Sequence, residues 1–405
     1  MSTVSIIKCA SYSNNVESKV IEAVKLLGGT EKFFKSGQRV LIKPNILSAR
    51  VPEKAVTTHP EVVRAVIRLV KSTGAIPAVG ESPGGVVAGA EKFWEKSGIK
   101  QICEEENCQM LFFERTGTIC VASKNPKNKT LKQLEIAKPC LEYDCVISVP
   151  KFKTHNLVFF TGAVKNLYGC IPGLRKSMYH KFAPHPNEFS EIIVDILAIV
   201  KPKLSIMDAI IGMEGEGPSA GKPRDIGLII ASDDAVAMDT VMCEIAGFNP
   251  KKVCYLNSAA ELKLGINEIE KIKIAGEKLE NVKLKNFKIP TNFYLHFIPK
   301  WFAKFLGKFI TALPIMDGKK CTKCITCIKS CPVKAIELKG ISNVPKVDKS
   351  KCILCLCCSE LCPEDAVEIR YSALIRFLLF VRKLRNQIKD IYHGVHGRKT
   401  ELSGK

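Results

Sequence analysis

Residues 39–85 read RVLIKPNILSARVPEKAVTTHPEVVRAVIRLVKSTGAIPAVGESPGG, and their pattern decides the fold class. A short Val/Leu/Ile run leads into Lys43-Pro44-Asn45. A segment with apolar residues at helical spacing follows from Pro60, and a second apolar run leads into Gly80-Glu81-Ser82-Pro83. Strand, helix and strand in that order predict a parallel pair joined by a crossover helix. Working outward, DCVISVPK, EFSEIIVDILAIV, LSIMDAIIG, IGLIIASDD and DAVAMDTVMCEIAG continue the alternation. The strand runs are apolar without interruption, which suits a sheet covered on both faces. The expectation is an α/β domain over residues 1–285, with a largely parallel sheet and helices on both faces.

In an open parallel sheet, ligands bind just beyond the carboxyl ends of the strands. Here those ends carry the polar residues: Lys43 and Asn45, then Glu81, then Lys151, Lys153 and His155, then Asp208 and Glu214, then Asp233 and Asp234. Lys165 and Asn166 follow in TGAVKNLYGCIPG, and His180 lies in another polar stretch. If the strands are all parallel, these meet along one edge. Lys43, Lys151, Lys153 and Lys165 would clamp an anionic group, with Asn45, Asn166 and the carboxylates Glu81 and Asp234 completing a cofactor or metal site. Lys153, His155, Lys165, His180, Asp208 and Glu214 are the candidates for the chemistry, with His155 or His180 moving protons. Individually, His59 and the Asp residues after strands also read as helix caps and turn formers.

The chain holds 18 Cys among 405 residues, and nine of them fall between Cys321 and Cys362. Cys321-x2-Cys324-x2-Cys327-x3-Cys331-Pro332 recurs 31 residues later as Cys352-x2-Cys355-x2-Cys358-x3-Cys362-Pro363. Two-residue spacers let three successive thiolates wrap one cubane while the distal Cys-Pro reaches the other. This assigns Cys321, Cys324, Cys327 and Cys362 to one [4Fe-4S] cluster, and Cys352, Cys355, Cys358 and Cys331 to a second. Zinc is the alternative for Cys-x2-Cys pairs, but two matched four-Cys sets disfavour it. Cys357 stands outside the pattern as a bystander thiol. Residues 319–370 resemble the bacterial-type two-cluster ferredoxins, a likeness that implies a small α+β fold and one-electron transfer at low potential.

Taken in order, the motifs LIKPN, TTHPEVV, GESPGG, PKFKTH, TGAVKNLYGCIPG, MDAIIGMEG and DDAVAMDT look like the domain-of-unknown-function family 362 over most of residues 4–250. Members commonly carry a fused ferredoxin-type segment, so the resemblance implies an iron–sulfur protein with its site at these motifs. It implies no substrate.

Lys plus Arg outnumber Asp plus Glu by 61 to 40, a formal charge of +21 that favours anionic partners. No nucleic-acid-binding motif, Walker loop or dinucleotide fingerprint is present, so nucleic acid is not an expected partner. The amino terminus lacks the pattern of a signal peptide, and no uncharged apolar stretch is long enough to span a bilayer, which predicts a cytoplasmic protein. Residues 286–318 read as a basic aromatic linker with one helix, around Trp301, Phe305 and Phe309. Residues 371–405 read as a basic amphipathic helix, around Phe377, Val381 and Leu384, with a polar tail. Such flanking helices suit a peripheral contact with an anionic membrane, packing against the cluster module, or a partner groove. The combined expectation is an iron–sulfur oxidoreductase that exchanges electrons with a donor or acceptor protein and acts on a small anionic molecule, with an additional metal or anionic cofactor left open. The alternative is a non-catalytic ferredoxin-like carrier or a membrane-associated docking adaptor.

Overall fold

The Val/Leu/Ile runs form the central strands of one ten-stranded sheet. In chain order the strands of the large unit are β1 (Ser2–Lys8), β2 (Arg39–Pro44), β3 (Ile76–Glu81), β4 (Gln109–Phe112), β5 (Thr118–Ala122), β6 (Gln133–Ala137), β7 (Cys145–Val149), β8 (Lys151–His155), β9 (Phe159–Thr161), β10 (Leu204–Glu214), β11 (Lys222–Ser232) and β12 (Ile272–Gly276). The computed structural model describes residues 2–13, 15–84, 90–183, 185–290, 312–338, 344–364 and 366–372. The sheet order is β12-β1-β11-β10-β7-β2-β3-β4, with β8 beside β10 and β9 beside β8; β5 and β6 form a separate hairpin.

The crossover from β2 to β3 is the helix Pro60–Lys71, and the two strands pair parallel from Arg39↔Ile76 to Ile42↔Val79. Both faces of the sheet are covered, because two apolar cores form on either side of it. One gathers Val40, Ile42, Ile147 and Ile206 with the helices Val16–Lys25 and Pro60–Lys71. The other gathers Leu41, Val146, Met207 and Ile230 with the helices Pro186–Val200 and Ala235–Ala246. Alternate residues of each strand feed alternate cores, as a pleated strand requires.

Two strands break the expected rule: the short β9 runs antiparallel to β8, and β11 reverses the main path of the sheet. β11 runs antiparallel to both of its neighbours, β1 and β10, because a short turn after Glu214 sends the chain straight back. Its carboxyl end, with Asp233 and Asp234, therefore lies at the edge opposite the ends of β2, β3 and β7, which corrects the expectation that all the polar motifs share one crevice.

The cluster module contains β13 (Ala312–Met316), β14 (Ile336–Leu338), β15 (Pro345–Val347) and β16 (Val367–Tyr371), paired β13 with β16 and β14 with β15, both antiparallel. β13 thus pairs with the far end of the module although it falls in the stretch read as linker. The repeat in sequence is a repeat in space. Asp317 N–H donates to Ala366 O as Asp348 N–H donates to Ala335 O, both at 2.7 Å, and Lys323 and Ile325 adopt positive φ as do Leu354 and Leu356. Left-handed backbone costs about 1 kcal/mol or more per non-Gly residue, so its recurrence at positions 31 residues apart marks the two halves as the same backbone conformation repeated. The linker-helix and carboxyl-terminal-helix readings fall mostly on 291–311 and 373–405, which lie outside the described residues.

Candidate functional site

β8 shows how sequence period becomes a site. In a strand, alternate residues share a face, so Lys151, Lys153 and His155 line up on one side. Phe152, on the other side, packs against Phe160 and Phe287 with ring centroids at 5.9 and 5.6 Å. Each of the three polar side chains meets a different partner. Lys151 Nζ lies 2.9 Å from Asp208 Oδ2 and donates to Tyr12 Oη at 2.7 Å, and Tyr12 Oη donates to Asp208 Oδ1 at 2.7 Å. Lys151 and Asp208 are fully buried and opposite each other in register. Burial holds the Lys151 ammonium below its ordinary pKa although Asp208 opposes this. Lys153 Nζ donates only to neutral oxygens, Asn45 Oδ1 at 2.7 Å and Val56 O at 2.6 Å, and burial followed by Lys165 pushes its pKa well down. His155 Nδ1 accepts from Leu157 N–H at 3.0 Å, which leaves the ring proton on Nε2.

At the ends of β2 and β3, Lys43 and Glu81 form a second buried pair at 2.7 Å. Glu81 also accepts from Ser82 N–H at 2.8 Å, and Asn166 Nδ2 donates to Lys43 O and Ser148 Oγ, both at 3.0 Å. Gly169 closes over this pair: a Cβ there would stand 2.5 Å from Lys43 Nζ and closer still to Glu81 Oε1. Beside it, Lys176 Nζ donates to Ser82 Oγ at 2.8 Å and to Ser82 O, while Ser82 Oγ donates to Glu114; burial brings Lys176 down to about 8.

Lys165 and Asn166 sit on the short helix Ala163–Asn166. Its first N–H groups donate to Asp239, at 2.6 Å from Ala163 and 3.1 Å from Val164. Burial pushes Asp239 up to about 7 against those bonds. Lys165 Nζ lies over the Tyr168 ring at 5.8 Å, and burial lowers it to about 8. His180 stacks on Phe189 at 4.3 Å, and burial together with the Lys165 charge pushes it down to about 3, so its imidazole is neutral at ordinary pH. A base that weak is poorly matched to proton transfer near neutrality.

Two of the expected site residues stand apart. Asp234 accepts from Val236 and Ala237 N–H at 2.9 Å each and from Ser2 Oγ at 2.6 Å, so it caps the helix Ala235–Ala246. Glu214 accepts from Lys288 N–H at 3.1 Å; Met213, its neighbour, is the residue in register with Lys153, so Glu214 faces the other side. His59 does cap the helix Pro60–Lys71, as the capping reading has it, yet its ring is stacked on Tyr12 at 3.6 Å and 5° and burial lowers it to about 4.

The cluster module covers the crevice. Arg50 Nη2 donates to Cys362 O at 2.8 Å, Ser219 Oγ to Ser359 O at 3.4 Å, and Glu360 Oε1 lies 3.7 Å from His155 Nε2. Leu361 fills the space at Gly84, where any Cβ would overlap it. Burial raises the Glu360 carboxyl to about 7, opposed by Lys165 and then Lys153. Tyr12, Lys176, Asp239 and Glu360 escape sequence reasoning. DDAVAMDT contains Asp239, but nothing in the spacing distinguishes it as a support for Lys165.

The cysteines fit the cofactor that their spacing implies. One cavity is lined by Cys321, Cys324, Cys327 and Cys362, and another by Cys331, Cys352, Cys355 and Cys358. Among the described residues no three His, Cys, Asp or Glu converge on a point suited to a single ion. Four thiols around a void suit a multi-atom cluster better than one zinc. Backbone N–H groups already point at thiol sulfurs in matched fashion, Ala335 to Cys331 Sγ at 3.2 Å and Ala366 to Cys362 Sγ at 3.3 Å. Cys357 lines the second cavity too, buried, and its hydrogen bond with Cys355 followed by burial raises its thiol pKa well up.

Comparison with known proteins agrees with these two parts. Residues 40–244 match the family described as Domain of unknown function (DUF362), and residues 313–363 match the 4Fe-4S dicluster domain. A thylakoid-associated protein of Synechocystis sp. is 34% identical over 267 residues, covering 65% of this chain and 80% of that protein. The solved lactate racemase apoprotein from Thermoanaerobacterium thermosaccharolyticum aligns at 14% identity with a TM-score of 0.40, over 60% of this chain and 56% of that chain. Among the described residues no helix is long and apolar enough to cross a membrane.

Proposed function

The chain belongs to the DUF362 family and carries a 4Fe-4S dicluster domain, and on that premise we propose that it is an iron–sulfur oxidoreductase exchanging single electrons with a small anionic molecule in the crevice. The observation that carries this reading is the seating of the second Cys repeat on the crevice: Glu360 meets His155 of β8, while Cys362 and Ser359 meet Arg50 and Ser219 in the loops that follow β2 and β10. Two [4Fe-4S] clusters, when bound, supply one-electron transfer.

The chain's own residues do the rest. Lys43–Glu81 and Lys151–Asp208 are paired internally and set the shape of the floor, with Asn166 and Asn45 fixing the lysine positions. Lys153 and Lys165 hold the anionic group, and His155 donates its proton at Nε2. Glu214, Asp234 and His180 have no assigned step in this reading. Buried lysines under a docked redox module fit an electron-transfer crevice better than a flat adaptor surface. The electron partner is a separate donor or acceptor protein, and a peripheral membrane contact is supported by the +21 charge and by the thylakoid association that the relative's name records.

The test is anaerobic purification with iron and sulfide analysis, expecting about eight of each per chain, and mass spectrometry of any co-purified small molecule. Chemically reduced clusters should reoxidise, or oxidised ones become reduced, when that molecule is added. A Lys165→Met variant that keeps its iron yet responds at the wild-type rate would refute the assignment of the crevice.

A further inference from the structure

Four of the crevice lysines, Lys43, Lys151, Lys153 and Lys165, divide into two kinds. Lys43 and Lys151 each have a carboxylate from their own unit, Glu81 at 2.7 Å and Asp208 at 2.9 Å. Lys153 has two neutral oxygens, and Lys165 has no hydrogen-bonded partner among the described residues, only the face of Tyr168. The carboxylate that acts most strongly on both comes from the cluster module: Glu360, whose Oε1 also faces His155 Nε2 at 3.7 Å. Two ammonium groups against one carboxylate leave an excess positive charge in a largely water-excluded place, where it is costly.

The repeat supplies an internal control. Glu360 sits 31 residues after Lys329, and the segments ITCIKSCP and LCCSELCP occupy matching places in the two halves. Lys329 is exposed, whereas Glu360 is turned into the crevice with 14% of its side chain accessible. Building the cluster fold therefore does not call for an acid at this position. The acid answers to the lysines beneath it.

Polar atoms without partners border the same place. Thr161 is opposite Lys153 in the β8–β9 register, and Thr57 follows Val56, whose carbonyl takes a Lys153 proton; both hydroxyls are buried without a hydrogen bond, as is His180 Nδ1. Buried polar atoms in native proteins are nearly always bonded, so such a group marks a place where a polar ligand belongs.

We propose that Lys153, His155 and Lys165 form the seat for the carboxylate group of a small molecule, and that Glu360 occupies this seat until the ligand displaces it. A carboxylate offers two oxygens with about four acceptor positions, matching the free N–H of Lys153, the Nε2–H of His155 and the Lys165 ammonium. The inference rests on the crevice being the working site of the electron-transfer reading, and adds the ligand's chemical class and its competitor within the chain.

The experiment uses the full, anaerobically purified holoprotein and malonate as probe, with inorganic phosphate and chloride at equal ionic strength alongside. By titration calorimetry, Glu360→Gln should bind malonate about tenfold more tightly than wild type, because a neutral amide competes less well for charged donors. Adding Lys165→Met should abolish that gain. In wild type, malonate should speed amide exchange at residues 357–362, whereas chloride should not, which keeps the test open should the Gln variant lose its clusters. Equal affinity of wild type and Glu360→Gln, an equal gain for phosphate, or unaltered exchange would overturn the proposal. Iron content and reducibility of the clusters, read on the same samples, report separately on the electron-transfer reading: it falls if the clusters cannot take up electrons, whatever the malonate result.

Discussion

Replacing Lys43 by Met removes the charge that balances Glu81 at a place where neither side chain reaches water. The Nζ atom contributes the 2.7 Å bond to Glu81 Oε2 and a 3.0 Å bond to Pro44 O, and approaches Asn166 Oδ1 at 3.5 Å. Without it, Glu81 keeps only the N–H groups of Ser82 at 2.8 Å and Ile46 at 3.3 Å, too little to solvate a buried carboxylate. Breaking one side of a buried pair costs about 3–5 kcal/mol, most of it the desolvation of the stranded charge, whereas removing both charges while keeping the volume is often close to neutral. Lys43→Met should thus lose about 3–5 kcal/mol, and Lys43→Met/Glu81→Gln should recover at least ~2 kcal/mol of that loss. The Gln carbonyl still accepts from Ser82. The assay is anaerobic guanidinium denaturation followed by far-UV circular dichroism, comparing midpoints at unchanged slope. If the single variant proves no less stable than the double, the electrostatic account of the crevice floor is wrong.

Two further outcomes follow from the geometry. Cys331→Ala and Cys362→Ala strike different cavities, so each should lose about half of the iron, and the electron paramagnetic resonance signals of the reduced variants should be complementary; identical spectra would contradict the crossed ligation. Asp239 is raised from 3.8 to about 7 by burial, so the folded chain holds its proton more firmly than the unfolded chain does. Its stabilising contribution is complete below pH 3.8 and is lost as pH rises through about 7, a change on the order of a few kcal/mol. Asp239→Asn should flatten the fall in denaturation midpoint between pH 5 and 7, and an unchanged slope would assign it to another group.

The alternation of apolar runs and helical segments was sufficient to read the α/β architecture, because strands buried on both faces leave an uninterrupted Val/Ile signature. The paired Cys spacing was sufficient to group the thiols, since ligand geometry is local. Strand direction was not legible: the turn between Glu214 and Lys222 differs from a crossover only in lacking a helix, and reversing β11 moved Asp234 to the far edge. Lys151, Lys153 and His155 were legible as a set because period two puts them on one face. Glu360 was not, because its partners lie some two hundred residues away and nothing local distinguishes a buried acid from a solvated one. Tyr12 was hidden for the same reason, since a lone Tyr after the first strand carries no motif until the fold sets it against Asp208.

A duplicated module could in principle be seated either way up, since its halves repeat the same Cys spacing and backbone bonds. The opposite charges of residues 329 and 360 remove that ambiguity: turned over, the module would push an ammonium at two ammoniums. The contact therefore works as a key that gives the module an inner and an outer half, and under the proposed function the half bearing Glu360 would be the one that faces the crevice.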